Sequence, residues 1–111
     1  MKSILITGAT GFVGCKLIKL LENYVYKINV LSRQQHPDYK TIVCDLAQEK
    51  IPNSAILSVD TIFHLADLAH DQRDTSKVEH LYRSINVNST FQLAKLAAQK
   101  GVQRFVFISS V

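Results

Sequence analysis

Five short apolar runs rich in β-branched residues punctuate the chain, at Ser3–Thr7, Lys27–Leu31, Thr41–Cys44, Thr61–His64 and Arg104–Ile108. They run without the polar alternation of a half-solvated sheet, which predicts strands covered on both faces, as in a parallel sheet. Between them the spacing turns helical. Val13, Leu17, Leu20 and Leu21 recur at helical intervals between Gly11 and Asn23, and Val78, Leu81, Tyr82, Ile85, Leu93 and Leu96 do so along Thr75–Lys100. Gly101 reads as the stop of the second helix, and Pro52 and Asn53 as the start of a shorter one reaching Ser58. Strands alternating with helices predict an α/β fold, a doubly wound parallel sheet of five strands in the order 3-2-1-4-5. No repeat, low-complexity stretch or linker divides residues 1–111, which read as one domain. Val111 follows an apolar strand with no cap and no further helix, the pattern expected of the N-terminal portion of a longer chain.

Composition agrees with a packed domain. Of the 111 residues 47% are hydrophobic and 20% charged, enough to bury a core without disulfides or a structural metal, which excludes a disordered tail or a collagen-like repeat. Cys15 and Cys44, with no secretory leader before them, fit a reducing cytoplasm. Gly8 and Gly11 interrupt the N-terminal apolar run well short of a signal core or a membrane span, so the expectation is a cytoplasmic protein with no membrane partner. Thirteen Lys+Arg against nine Asp+Glu give a net charge of +4, but the basic residues are scattered singly and no aromatics interleave with them. That distribution argues against a nucleic-acid face and for a mild attraction to one small phosphorylated ligand.

The candidate chemistry begins where the first strand runs into Gly8-Ala9-Thr10-Gly11-Phe12-Val13-Gly14 and then a helix, the placement of a dinucleotide-binding turn. Gly8 suits the tight turn, Gly11 leaves room for a pyrophosphate, and Gly14 lets the helix pack close to the sheet. Thr10, Gly11, Phe12 and Val13 then surround a helix N-terminus, whose spare amide donors and dipole favour an anion. No Lys-Ser or Lys-Thr follows the last glycine, which argues against a Walker-type phosphate loop. At the end of the second strand an acidic residue would select NAD through the ribose hydroxyls, but Ser32 and Arg33 stand there. Arg33 offers a planar cation for a 2′-phosphate or for stacking on adenine, which leaves NADP and NAD both open as cofactors; a solvated loop residue is its plain alternative. Asp45, just past the third strand, falls at the carboxyl edge where such sheets bind ligands.

The glycine spacing is Gly-x-x-Gly-x-x-Gly. Together with Asp45-Leu46, Asp60–Ala66, Asn86–Thr90 and Phe105–Ser110, it resembles the N-terminal half of the extended short-chain dehydrogenase/reductases, the nucleotide-sugar epimerase and dehydratase group. The resemblance covers essentially the whole chain and implies a Rossmann-like domain that binds a nicotinamide dinucleotide, with a nucleotide sugar as substrate of the full-length parent. It implies that Asp45 and Leu46 contact adenine, that His64-Leu65-Ala66 shapes the cofactor groove with Ala66 beside the nicotinamide ribose, and that Asn86 ties its helix to the active-site region. Ser110 matches the family's catalytic serine. Asp67 departs from the small residue usual there and puts the local backbone path in doubt. The partner motif Tyr-x-x-x-Lys is absent, since Tyr24, Tyr26, Tyr39 and Tyr82 are followed four residues on by Ile28, Val30, Val43 and Asn86. The chain alone is therefore expected to bind cofactor and not to turn over substrate; a non-catalytic NAD(P)-sensing or protein-interaction module is the competing reading.

Other polar residues have plainer readings. His64 on an apolar strand reads as a hydrogen-bonded core histidine. His70, Asp71 and Asp74 lack a second ligand pair at fixed helical spacing, so no metal is expected. Cys15, in the first helical turn, reads as a small packing residue. Asn88-Ser89-Thr90 forms a glycosylation sequon that carries no weight without a leader.

Overall fold

The computed structural model describes residues 2–46, 48–65 and 75–108, with backbone only for 75–86. Strand β1 (Lys2–Thr7) is followed by helix α1 (Phe12–Leu21), strands β2 (Tyr26–Ser32) and β3 (Lys40–Val43), strand β4 (Thr61–His64), helix α2 (Thr75–Gln99) and strand β5 (Arg104–Phe107). The strands form one sheet in the order β3-β2-β1-β4-β5, and every neighbouring pair is parallel. Alternation along β1 divides the core in two. Ile4 and Ile6 pack with Ile18 and Leu21 of α1 and with Val30. Leu5 faces the other way and packs with Leu31, Ile62, and Leu93 and Ala97 of α2.

Burial on both faces holds fully only at the centre. Leu5 and Ile6 are sealed, whereas Val43 on β3 and Val106 and Phe107 on β5 are exposed. The physical reason is coverage. On the α1 side, to which alternation assigns Val43 and Val106, a ten-residue helix spans β1 and β2, and among the described residues no second helix lies beyond it to cap the outer strands; Phe107 lies on the other face, stacked on His64.

The short helix expected from Pro52 to Ser58 is instead one 3₁₀ turn, Asn53–Ala55. Its two ends are closed by Ala55 N–H to Pro52 O (3.0 Å) and Ile56 N–H to Asn53 O (3.2 Å). Ser58 then adopts φ 63°, a left-handed conformation in which a helix cannot continue. Ile51, Ala55, Ile56 and Val59 are nonetheless all buried in the α2-side cluster, so the segment keeps its apolar contacts without a full helix.

Asp60 ties the amino ends of three strands together. Its carboxylate accepts from Ser3 N–H (2.8 Å), its own N–H donates to Ser3 O (2.9 Å), and its carbonyl accepts from Gln103 and Arg104 (3.0 and 3.2 Å). Among the described residues no helix is long and apolar enough to cross a membrane.

Candidate functional site

The register places Thr7 beside Leu31 and His64, Ser32 beside Val43, and His64 beside Phe107, so all five strands finish at one level. The segments leaving those ends carry Gly8–Gly14, Ser32-Arg33, Asp45-Leu46 and Leu65. Parallel pairing thus gathers residues up to 57 positions apart along a single carboxyl edge, where open α/β sheets bind ligands.

Gly8 takes φ +75°, and its carbonyl accepts Gly11 N–H at 3.1 Å, closing the turn. Gly11 is the N-cap of α1, with an ordinary φ of −74° and no side-chain cap, and Cys15 N–H bonds its carbonyl at 2.9 Å. The amides of Phe12 and Val13, in the first turn, have no acceptor among the described residues. Phe12 is 78% exposed, so this end of α1 opens to solvent. The three glycines are needed for different reasons. A Cβ on Gly14 would lie 2.2 Å from Gly8 O and 2.8 Å from Ala9 Cα, so the helix is pressed against the turn's backbone rather than the sheet. A Cβ on Gly11 would meet only Gly8 O at 3.4 Å, ordinary contact. The chain itself does not require glycine at 11, which leaves space outside the loop as the feature that Gly11 preserves. Thr10 is exposed beside it.

Arg33 is exposed and has no hydrogen-bond or ionic partner among the described residues. Ser32 Oγ accepts weakly from Gln34 N–H (3.5 Å). The following loop is braced from within: Gln35 Nε2 reaches His36 O, Tyr39 O and Thr41 Oγ1 at 3.1–3.2 Å, and Tyr39 donates its hydroxyl to Glu22 at the end of α1 (2.8 Å). That bond to a carboxylate holds the Tyr39 phenol above its ordinary range. Asp45 is half-buried; its N–H donates to Glu49 Oε1 (3.0 Å) and its carbonyl accepts from Gln48 and Glu49. Leu46 packs on the α2-side core, and Ser89 of α2 donates to its carbonyl (2.8 Å). Gln35, Glu49 and Ser89 were invisible as site supports in the sequence, because a lone amide, acid or hydroxyl signals nothing until the loop it braces is seen.

His64 is 1% exposed and hydrogen-bonded on both ring nitrogens, to Thr7 Oγ1 (2.7 Å) and Thr90 Oγ1 (3.0 Å). Leu65 N–H donates to the carbonyl and the hydroxyl of Thr7. Cys15 departs from expectation: it is exposed rather than packed, with Sγ 3.6 Å from the carbonyls of Ala9 and Thr10. Cys44 is buried, and desolvation, then the charges of Glu49 and Asp45, push its thiol up. Asn86 lies in the backbone of α2, while Ala66, Asp67, His70, Asp71, Asp74 and Ser110 lie outside the described residues. No metal-binding group of His, Cys, Asp or Glu occurs among the described residues.

Residues 4–111 match the model of the NAD dependent epimerase/dehydratase family. Over 115 residues the chain is 33% identical to a 3-beta-hydroxysteroid dehydrogenase of Mycolicibacterium neoaurum, covering 96% of this chain and 31% of that protein. It is 36% identical to a UDP-glucose 4-epimerase of Vibrio cholerae, covering 99% of this chain and 35% of that protein. The structure of MoeE5 in complex with UDP-glucuronic acid and NAD superposes with a TM-score of 0.80 at 32% identity, over 97% of this chain and 36% of MoeE5. The chain spans about a third of the length of each of these relatives.

Proposed function

We propose, since the chain belongs to the NAD dependent epimerase/dehydratase family, that residues 1–111 are the N-terminal, dinucleotide-binding portion of an NAD-dependent nucleotide-sugar epimerase, dehydratase or reductase. The observation that carries the reading is the glycine turn. It delivers an uncapped, solvent-open helix N-terminus to the carboxyl edge of β1, with spare amides at Phe12 and Val13 and a glycine at 11 that the fold itself does not demand. In this reading those amides hold the pyrophosphate, Asp45 and Leu46 flank adenine, and Ser32 and Arg33 meet the adenosine ribose. Leu65, Ala66 and Asn86 line the nicotinamide half.

When bound, the nicotinamide would supply hydride exchange with a carbon of the substrate. The chain's own residues bind and orient. Ser110 would hydrogen-bond the reacting oxygen, but no tyrosine here is followed by the lysine that would draw its pKa from about 10 toward neutrality, so proton transfer has no base in these 111 residues. Support for NAD over NADP comes from the family and from the NAD held by MoeE5. UDP-glucose 4-epimerase and MoeE5 support a sugar nucleotide as the parent's substrate, while the steroid dehydrogenase shows the same N-terminal part serving another chemistry.

Calorimetric titration with NAD and NADP tests the reading. Binding of NAD without turnover of UDP-sugars is the expected result; no heat and no thermal shift at millimolar dinucleotide would remove the cofactor from the proposal.

A further inference from the structure

Among the described residues the fully buried polar side chains are Thr7 and His64, and they bond each other. Buried polar groups lose hydration and gain little net stability over an apolar pair of the same shape, but they fix direction where apolar contacts do not. The question is what their direction fixes. Thr7 immediately precedes Gly8, whose carbonyl closes the turn on Gly11 and lies under Gly14. Its hydroxyl also receives Leu65 N–H at 3.0 Å, joining the carboxyl ends of β1 and β4. From the opposite side of the ring, His64 Nε2 reaches Thr90 of α2, one helical turn beyond Asn86. Phe105 and Phe107 of β5 lie against the imidazole, with ring centroids 6.1 and 5.4 Å away, and Phe107 stacks at 30°. One imidazole therefore touches three elements besides its own strand, β1 at the glycine turn, the helix of Asn86 and β5, while Thr7 carries the link on to Leu65 after β4.

We infer that His64 is a positioning residue which, through the chain Thr7–His64–Thr90, couples the setting of the glycine turn to that of α2. On the dinucleotide reading above, on which its functional meaning rests, the link holds the pyrophosphate end and the nicotinamide end of the site in one register. No bond to the ligand is asked of His64 itself, which is sealed beneath the edge.

The test uses Thr90→Val, which removes the hydroxyl and keeps the branched shape, Thr90→Ser, which restores the hydroxyl, and His64→Phe, which keeps an aromatic ring between the two phenylalanines. Amide hydrogen exchange without ligand is read at Gly11 and Leu65 relative to Leu5, whose amide in the middle of β1 reports global opening. Thr90→Val and His64→Phe should speed Gly11 and Leu65 about three- to tenfold over Leu5, the range of one hydrogen bond, and Thr90→Ser should return them to wild type. Ser89→Ala, one residue away on the same helix but bonded to Leu46, should leave Gly11 unchanged. Dissociation constants for NAD and ADP are then compared. Severing the link should weaken NAD more than ADP, whereas mere loss of stability would leave their ratio alone. Unchanged Gly11 and Leu65 exchange in both Thr90→Val and His64→Phe, or acceleration that follows Leu5, overturns the coupling. Wild-type protein that binds neither NAD nor ADP overturns the dinucleotide reading, while the exchange data still decide the coupling.

Discussion

Gly11 and Gly14 stand three residues apart in one turn and should answer substitution in opposite ways. At Gly14 a methyl group collides with the backbone of Gly8 and Ala9, atoms that cannot swing aside as a side chain would. Gly14→Ala should cost about 3 kcal/mol and lower Tm by about 10 °C or more without any ligand present. Gly11 has φ −74° and its Cβ position meets only Gly8 O, at ordinary contact distance, so Gly11→Val should leave Tm within a few degrees and remove dinucleotide binding by filling the pyrophosphate's place. A Gly11→Val protein that binds NAD as wild type does would make the turn purely structural. Arg33 permits a matching test of cofactor choice, because its guanidinium is exposed and unpartnered among the described residues. Arg33→Asp should weaken NADP by about 1–3 kcal/mol and leave NAD much less affected, read as the ratio of the two dissociation constants at fixed salt. An unchanged ratio would make Arg33 a solvated loop residue. The two thiols also separate by environment. Cys15 is exposed, whereas Cys44 is buried with its thiol pushed up, so one thiol should react quickly with an aromatic disulfide in the native protein and both after unfolding. The sign of the pH dependence follows. A folded-state pKa above the unfolded value means that the contribution of Cys44 is fully present below about pH 8.5 and is lost as pH rises through the folded value.

Among the elements, Asp60 shows how much of a sheet can hang on one loop residue. A carboxylate receiving Ser3 N–H at the amino end of β1 keeps a half-buried donor satisfied while the Asp60 backbone serves β1 and β5. Asp60→Ala should destabilise by about 1–3 kcal/mol, measured by denaturant midpoint, and Asp60→Asn by less, since an amide oxygen can still accept. Equal losses in the two variants would show that the carboxylate's acceptor role is not what matters. The strands themselves were legible as continuous β-branched runs, and their alternation with helical segments pointed to a doubly wound sheet in the order observed. What the runs could not show was coverage. Val43 and Val106 read as core in the sequence and are exposed, because burial depends on a neighbouring helix and not on the residue. Likewise Pro52 and Asn53 promised a helix that the left-handed Ser58 ends after one turn. Within the site, the glycine spacing could be read directly because its demand is local. Thr7, His64 and Thr90 could not be read together, since 57 and 26 residues separate the bonded pairs and nothing in either interval signals the contact.

At the scale of the whole molecule, the described residues seal the sheet at its centre and leave its β5 edge exposed, and this predicts behaviour in solution. The α2 face buries Leu5, Leu31, Ile56 and Ile62 completely. On the α1 face, Phe63 and Leu65 are only partly covered, and alternation along β5 sets Val106 on the same side, opposite Phe63. Val106 of β5 and Ile108 just past it remain 36% and 43% exposed, and among the described residues β5 has no strand partner on its outer edge. An apolar edge strand of this kind is a template for pairing between copies during folding or heating. Replacing both by threonine keeps the β-branched shape that suits a strand and removes the apolar surface that drives association. Because neither residue is sealed in the core, the change should leave Tm within a few degrees of wild type. Light scattering on heating should fall in the double variant and should depend less on protein concentration. A large loss of Tm with unchanged scattering would instead place Val106 and Ile108 in a packed core and move the association-prone surface elsewhere, the exposed Val87 and Phe91 of α2 being the next to examine.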